Sequence, residues 1–171
     1  MPKPPRDCPC HSKLRYADCC APYHREEREA PTCEALMRSR YSGFALGFGK
    51  YLMKTLAKTH EDRALPPAAL ELELARAKDE QRYLDLCILD TKDTDAGGEV
   101  LFYAKVFAKG QDRSFAELST FVREEGGLRY ASAILVPRPE IPGEPRALTR
   151  EAFLAIPRPV VAPTPAPPPP A

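Results

Sequence analysis

A chain of 171 residues with 43% apolar content supplies one hydrophobic core, with room only for a small appendage held by something other than burial. Its 25 basic and 24 acidic residues leave a net charge of +1, which excludes a global field that would draw it onto nucleic acid or an anionic membrane. No run of 18 apolar residues occurs, and the start Met1-Pro2-Lys3-Pro4-Pro5-Arg6-Asp7 has no apolar stretch; the expectation is a soluble, cytoplasmic protein with no membrane span.

Four of the six cysteines fall within residues 8–20: Cys8-Pro9-Cys10, eight residues, then Cys19-Cys20. In a reducing compartment such thiols serve as metal ligands or buried groups more often than as disulfides. Two close pairs separated by a short loop suit tetrahedral Zn2+, whose four ligands Cys8, Cys10, Cys19 and Cys20 would close the site and make it structural rather than catalytic. Leu14 and Tyr16 cannot fold twenty residues by burial, so metal binding would supply the missing free energy, on the order of 10 kcal/mol or more. Two alternatives stay open: disulfides or unligated thiols, and His11 or His24 replacing one cysteine.

Residues 25–31 read as a linker. Thr32 then caps a helix carrying Leu36, Met37, Tyr41 and Phe44 at helical spacing, with Gly43 and Gly47 at its frayed end. A short helix is expected over 50–57, and Pro67 suits the first turn of a third, although Leu70, Leu72 and Leu74 alternate. From Arg82 onward the period becomes two. Residues 83–90, 99–108, 113–123 and 128–136 read as strands joined by turn clusters at 95–98, 109–112 and 124–127. Connections this short join antiparallel neighbours, so helices followed by a strand meander predict an α+β domain whose curved sheet packs on the helices. The eight prolines within 157–171 predict an extended, disordered tail that neither pairs in a sheet nor continues a helix.

Cys8-Pro9-Cys10-His11-Ser12, Tyr16 and Cys19-Cys20 resemble the SEC-C motif found at the C-terminus of the secretion ATPase SecA. That motif usually carries Gly-Ser-Gly after its second cysteine, where this chain has His11-Ser12-Lys13, so a different loop geometry is expected. Residues 31–47, with Tyr51-Leu52-Met53-Lys54-Thr55 and residues 117–124, resemble the bacterial YchJ family. The resemblance covers residues 8–136 or so. It implies a SEC-C-like zinc knuckle with linker at 1–30, then a cystatin-like or nuclear-transport-factor-two-like cone over 31–156, before the tail at 157–171. It also implies protein partners for the knuckle, the family's biochemical role being undefined. Leu56-Ala57-Lys58 stands where the family typically has Trp-His-Pro, and Leu128 where it has Trp. Proline-rich sequence replaces the second SEC-C motif of many relatives, which would halve any avidity resting on two knuckles.

No nucleophile, base and orienter are spaced as a catalytic set, so no catalytic residue is assigned and an enzyme is not the favoured reading. Asp85, Glu99 and Glu117 lie on expected strands, where a carboxylate usually faces solvent. Tyr41, Tyr83, Tyr103 and Tyr130 read as packing. A cone pocket would draw on Arg40, Tyr41, Tyr103 and Glu117, with Arg40 and Glu117 as an internal ion pair. His60 lies in a polar run read as an exposed loop. Lys13, Arg15, Arg38, Arg40 and Tyr16 are the features for nucleic-acid or ribosome binding, which the balanced charge disfavours. The resulting expectation is a zinc-binding cytoplasmic adaptor or accessory protein with an unnamed protein partner; a small-molecule-binding or enzymatic cone is the alternative.

Overall fold

The computed structural model describes residues 3–157 and the backbone of Val160–Val161. After a short N-terminal helix, α1 (Ala21–His24), the first long helix is α2 (Cys33–Leu46), and Thr32 caps it as its spacing predicts, the hydroxyl accepting from Ala35 N at 3.1 Å. Gly47 ends it in the left-handed conformation, φ 75°. Gly43 does not mark a frayed end: it is buried inside α2, where a Cβ would lie 3.2 Å from Leu52. The next helix, α3 (Gly49–Lys54), is shorter than expected because Thr55 turns its hydroxyl back to Tyr51 O. Gly49 lets α3 lie directly on α4 (Pro67–Glu80), since a Cβ there would meet Glu71 O at 2.0 Å. On α4 the helical period wins over the alternation: Leu70 and Leu74 are buried, while Leu72 is 53% exposed.

The chain then forms β1 (Gln81–Thr94), β2 (Gly97–Ala108), β3 (Gln111–Asp112), β4 (Phe115–Glu124) and β5 (Gly127–Pro137). With a last short strand, β6 (Val160–Val161), neighbours run β1-β2-β4-β5-β6, all antiparallel, with β3 pairing only the end of β2. The sheet stays open, and register shifts in β1 and between Thr120 and Phe121 bend it around α2. Side chains alternate between its faces. Val100, Phe102, Ala104 and Val106 join Leu36, Met37, Tyr41 and Phe121 in the core against α2. Leu101, Tyr103, Ala116 and Leu118 face the other way, covered by Ile141, Leu148, Phe153 and Ile156.

That second cover, including α5 (Arg150–Leu154) capped by Thr149, was not legible as an element. The expectation that nothing beyond Pro157 pairs in a sheet fails at β6 (Val160–Val161), which pairs with Ile134 and Leu135; these two residues lie between prolines and keep their N–H groups. The rest of the tail reading falls outside the described residues.

Candidate metal centre and the polar interior of the cone

The N-terminal segment folds back on itself. Cys8 N donates to Leu14 O at 2.9 Å, Tyr16 N to Arg6 O at 3.0 Å, and Asp7 and Arg15 form an antiparallel bridge. The turn between them places His11 at φ 59° and Lys13 at φ 66°. These are the two positions where the resemblance places glycines of the SEC-C motif, and both take the left-handed backbone conformation that glycine adopts without strain. A non-glycine residue there is strained by roughly 1–2 kcal/mol.

A 3-10 turn at Tyr16–Asp18 and α1 return the chain, bringing Cys19 and Cys20 against Cys8 and Cys10. All four sulfurs lie within 4.8 Å of one another; Cys10 Sγ to Cys19 Sγ is 3.6 Å and Cys19 Sγ to Cys20 Sγ 3.8 Å. Four thiolates at about 2.3 Å from one tetrahedral ion would stand about 3.8 Å apart. The set can therefore hold a metal with little movement. Cys8, Cys10 and Cys20 are buried and Cys19 is half-buried, with Ser12 Oγ 3.2 Å from its sulfur. All six cysteines are free, so no disulfide competes. Hydrogen bonds from the Cys20 and Cys8 thiols pull Cys10 far below the ordinary thiol range. The bond to Cys10 in turn pushes Cys8 up to about 12 and Cys20 higher still. Cys33 and Cys87 lie elsewhere. Cys33 is buried at the start of α2, where burial and the Asp93 carboxylate push its thiol up to about 12.

Neither histidine replaces a cysteine. His24 Nε2 donates to Ser39 O and its Nδ1 accepts from the Tyr16 hydroxyl, both at 2.7 Å, and burial keeps the ring neutral by lowering its pKa. His11 Nε2 lies 3.4 Å from Tyr83 O on β1. With Arg38 Nη1 donating to Cys10 O at 3.1 Å, both histidines dock the knuckle onto the cone. The stretch read as a linker is a strap: Glu29 pairs with Arg129 at 2.9 Å and with Lys54 at 3.4 Å, and Glu26 with Lys54 at 3.5 Å.

The four residues expected to share a cone pocket do not. Strand alternation puts Tyr103 in the core under α5, on the opposite face from Glu117, which pairs with Phe102. Tyr41 packs on the inner face and donates to Asp85 O. Arg40 and Glu117 are both buried inside the cone but form no ion pair. Arg40 Nη1 donates to Leu52 O at 2.7 Å and Thr55 Oγ1 at 2.6 Å, and its guanidinium lies 4.7 Å from the centre of the Tyr130 ring. Tyr130 then donates to Glu117 Oε1 at 3.1 Å, an oxygen that also accepts from Ser119 at 2.6 Å. Burial raises the Glu117 pKa against those two bonds. Glu117 is therefore not on the solvated face, as a strand carboxylate usually is, and Tyr130 is not mere packing. Asp85 and Glu99 do lie outside, paired with Arg146 and Arg150.

His60 is not in an exposed loop either. Its ring lies 5.6 Å from that of Tyr130, and its Nδ1 accepts from Asp62 N at 3.2 Å. Asp62 itself is buried, with Oδ1 unpartnered among the described residues. The reading of residues 58–63 as polar and exposed missed this pair, because local composition carries no signal that the 3-10 turn at Glu61–Ala64 folds inward. Leu56 and Ala57, where the family has Trp and His, are buried beside the same tyrosine, and Ala57 N donates to Tyr130 O at 2.8 Å. Of the three arginines weighed for nucleic acid, two are engaged internally, Arg38 by Glu34 and Cys10 and Arg40 by the cone, while Arg15 is exposed. Among the described residues no helix is long and apolar enough to cross a membrane.

Residues 32–133 match the family model described as YchJ, middle NTF2-like domain. A UPF0225 protein of Deinococcus radiodurans is 40% identical over 131 residues, covering 76% of this chain and 90% of that one. The UPF0225 protein YchJ of Shigella dysenteriae is 35% identical over 125 residues, covering 72% and 79%. The solution structure of a SEC-C motif containing protein from Rhodopseudomonas palustris superposes with a TM-score of 0.64 at 29% identity, covering 74% of this chain and 96% of that one. A crystal structure of a SEC-C motif containing protein from Psychrobacter arcticus gives 0.58 at 28% identity, covering 74% and 79%.

Proposed function

The chain belongs to the YchJ family, and from that footing we propose that it is a zinc-binding cytoplasmic adaptor whose knuckle holds one structural Zn2+ and docks a protein partner. The observation that carries the reading is the closed set of four thiols, all within 4.8 Å. Four protein donors leave no position for substrate, which is the arrangement of a structural ion rather than a catalytic one. Bound zinc would hold Cys8, Cys10, Cys19 and Cys20 as thiolates and supply folding free energy that the small knuckle core lacks.

The docking element is the tip of the loop. Leu14 is 55% exposed there, between the exposed Lys13 and Arg15, with the exposed Arg6 next to Asp7, the bridge partner of Arg15. Among the described residues none of the three cations has an ion-pair partner. An apolar side chain ringed by free cations on a backbone fixed from both sides suits an acidic segment with one apolar anchor.

Metal analysis of the purified chain under reducing conditions should return about one equivalent of zinc, lost in Cys8→Ser and Cys20→Ser. Iron in its place, or no metal, overturns the zinc assignment. A photo-crosslinking residue at position 14 in cells should capture one recurrent partner through an acidic segment, and Cys19→Ser should abolish capture while the cone stays folded. Capture that survives Cys19→Ser, or no recurrent partner, overturns the adaptor.

A further inference from the structure

The near-balance of charge over the whole chain hides a polarity along the sheet. Its strands are antiparallel, so successive turns fall at alternate ends. At one end the turns after β1 and β4 carry Asp93, Asp95, Glu124 and Glu125, with Lys92 and Arg123 beside them. The other end, where β1 begins and β2 turns into β3, carries Arg82, Lys105, Lys109 and Arg113, all exposed, and Arg138, half-buried. None of these five cations has an ion-pair partner among the described residues. Pairing of the strands holds them together: Arg82 stands opposite Phe107 and Phe107 opposite Asp112, while Arg113 N donates to Val106 O and Arg138 N to Ser114 O, both at 2.8 Å. Alternation puts Lys105 and Phe107 on the outer face with Leu101 and Tyr103. The C-terminal cover that buries Leu101 and Tyr103 stops short of them: Lys105 is exposed, and Phe107, half-buried, joins none of the buried clusters.

We propose that this end of the outer sheet face binds single-stranded nucleic acid, with a base stacked on Phe107 and the phosphates held by Arg82, Lys105, Lys109, Arg113 and Arg138.

The ring decides the class. Unpaired cations gathered at one end of a sheet attract any polyanion and steer it there. An acidic peptide or a nucleic-acid duplex would be held by the cations alone and would leave Phe107 unused. A single strand exposes its bases, and every base has a face to stack on an aromatic ring lying among cations. Strand geometry sets the spacing: Arg82 directly across from Phe107 and Lys105 two residues before it put cations on two sides of the ring. The nearby carboxylates are already engaged. Asp112 accepts from Ser114 N at 2.9 Å, and Asp85, opposite Lys105, pairs with Arg146. The site uses no residue of the knuckle and stands independently of the zinc and adaptor readings.

The test titrates the full chain, as purified, into a fluorescein-labelled strand of about twelve uridines and follows its anisotropy, with polyglutamate and a DNA duplex as competitors. Binding should saturate, and the single strand should be preferred to either competitor. Phe107→Leu should weaken it about tenfold, while Phe107→Tyr, which keeps the ring, should not. Changing Arg82 and Lys105 together to glutamine should lower the slope of log affinity on log salt by about 1.4. Absence of saturable binding overturns the proposal, as does polyglutamate or duplex bound as tightly as the single strand, or a Phe107→Leu chain that binds like wild type. Should Phe107→Leu not fold, the ranking of the three polyanions and the salt slope decide.

Discussion

The knuckle and the cone hold together by opposite means. In the knuckle the buried cluster is Cys8, Cys10, Tyr16, Cys20 and Ala21, with Tyr16 its one large side chain. In the cone Leu36, Phe102, Phe121, Leu128 and their neighbours fill one face of the sheet, while Leu101, Val136 and Phe153 fill the other. A region with so little surface to bury depends on four donor atoms meeting at one point; a region with two packed faces depends on volume. The difference teaches that the same perturbation should not affect both.

Chelating the metal, or changing Cys20 to serine, should have the largest effect, withdrawing a binding free energy on the order of 10 kcal/mol from the knuckle. The cone should keep its circular dichroism and cooperative melt; its collapse along with the knuckle would break the distinction, through the His24, Arg38 and Glu29 contacts that join them. Phe121→Ala, by contrast, should cost the cone about 3–5 kcal/mol by urea unfolding, with metal stoichiometry unchanged. Lys13→Gly should stabilise the knuckle by roughly 1 kcal/mol, because glycine accepts the φ of 66° that lysine strains to adopt; a slower chelator-driven metal loss would show it.

The smallest effect is in pH, and its sign differs between the regions. His24, below its ordinary 6.5 through burial, contributes stability present above that value and lost as pH falls through its folded pKa. Glu117, above its ordinary 4.5 through burial, contributes stability present below that value and lost as pH rises through its folded pKa. Urea midpoints of Glu117→Gln should therefore gain steadily on wild type as pH rises, while those of a His24→Asn chain should gain as it falls. Parallel profiles would remove the contrast.

What was legible along the chain is local. The clustering of Cys8, Cys10, Cys19 and Cys20, the cap at Thr32, the start of α4 at Pro67 and the four long strands all follow from spacing within a dozen residues, because helix and strand periods and short-loop closure act over that range. Arg40 and Glu117 were singled out, yet their relation was misread as an ion pair. Tyr130 stands between them only because β4 pairs with β5 in one register, and a shift of one residue would send Glu117 to the face of Tyr103. Asp62 and His60 turn inward, and the strap at Glu29 closes on Arg129 across 100 positions of sequence. Spacing determined that four thiols would stand close together at the N-terminus and that a sheet would pack on helices. Only the tertiary structure decided which polar groups are sealed inside, since burial is set by what the chain brings from far away and not by the residues alongside.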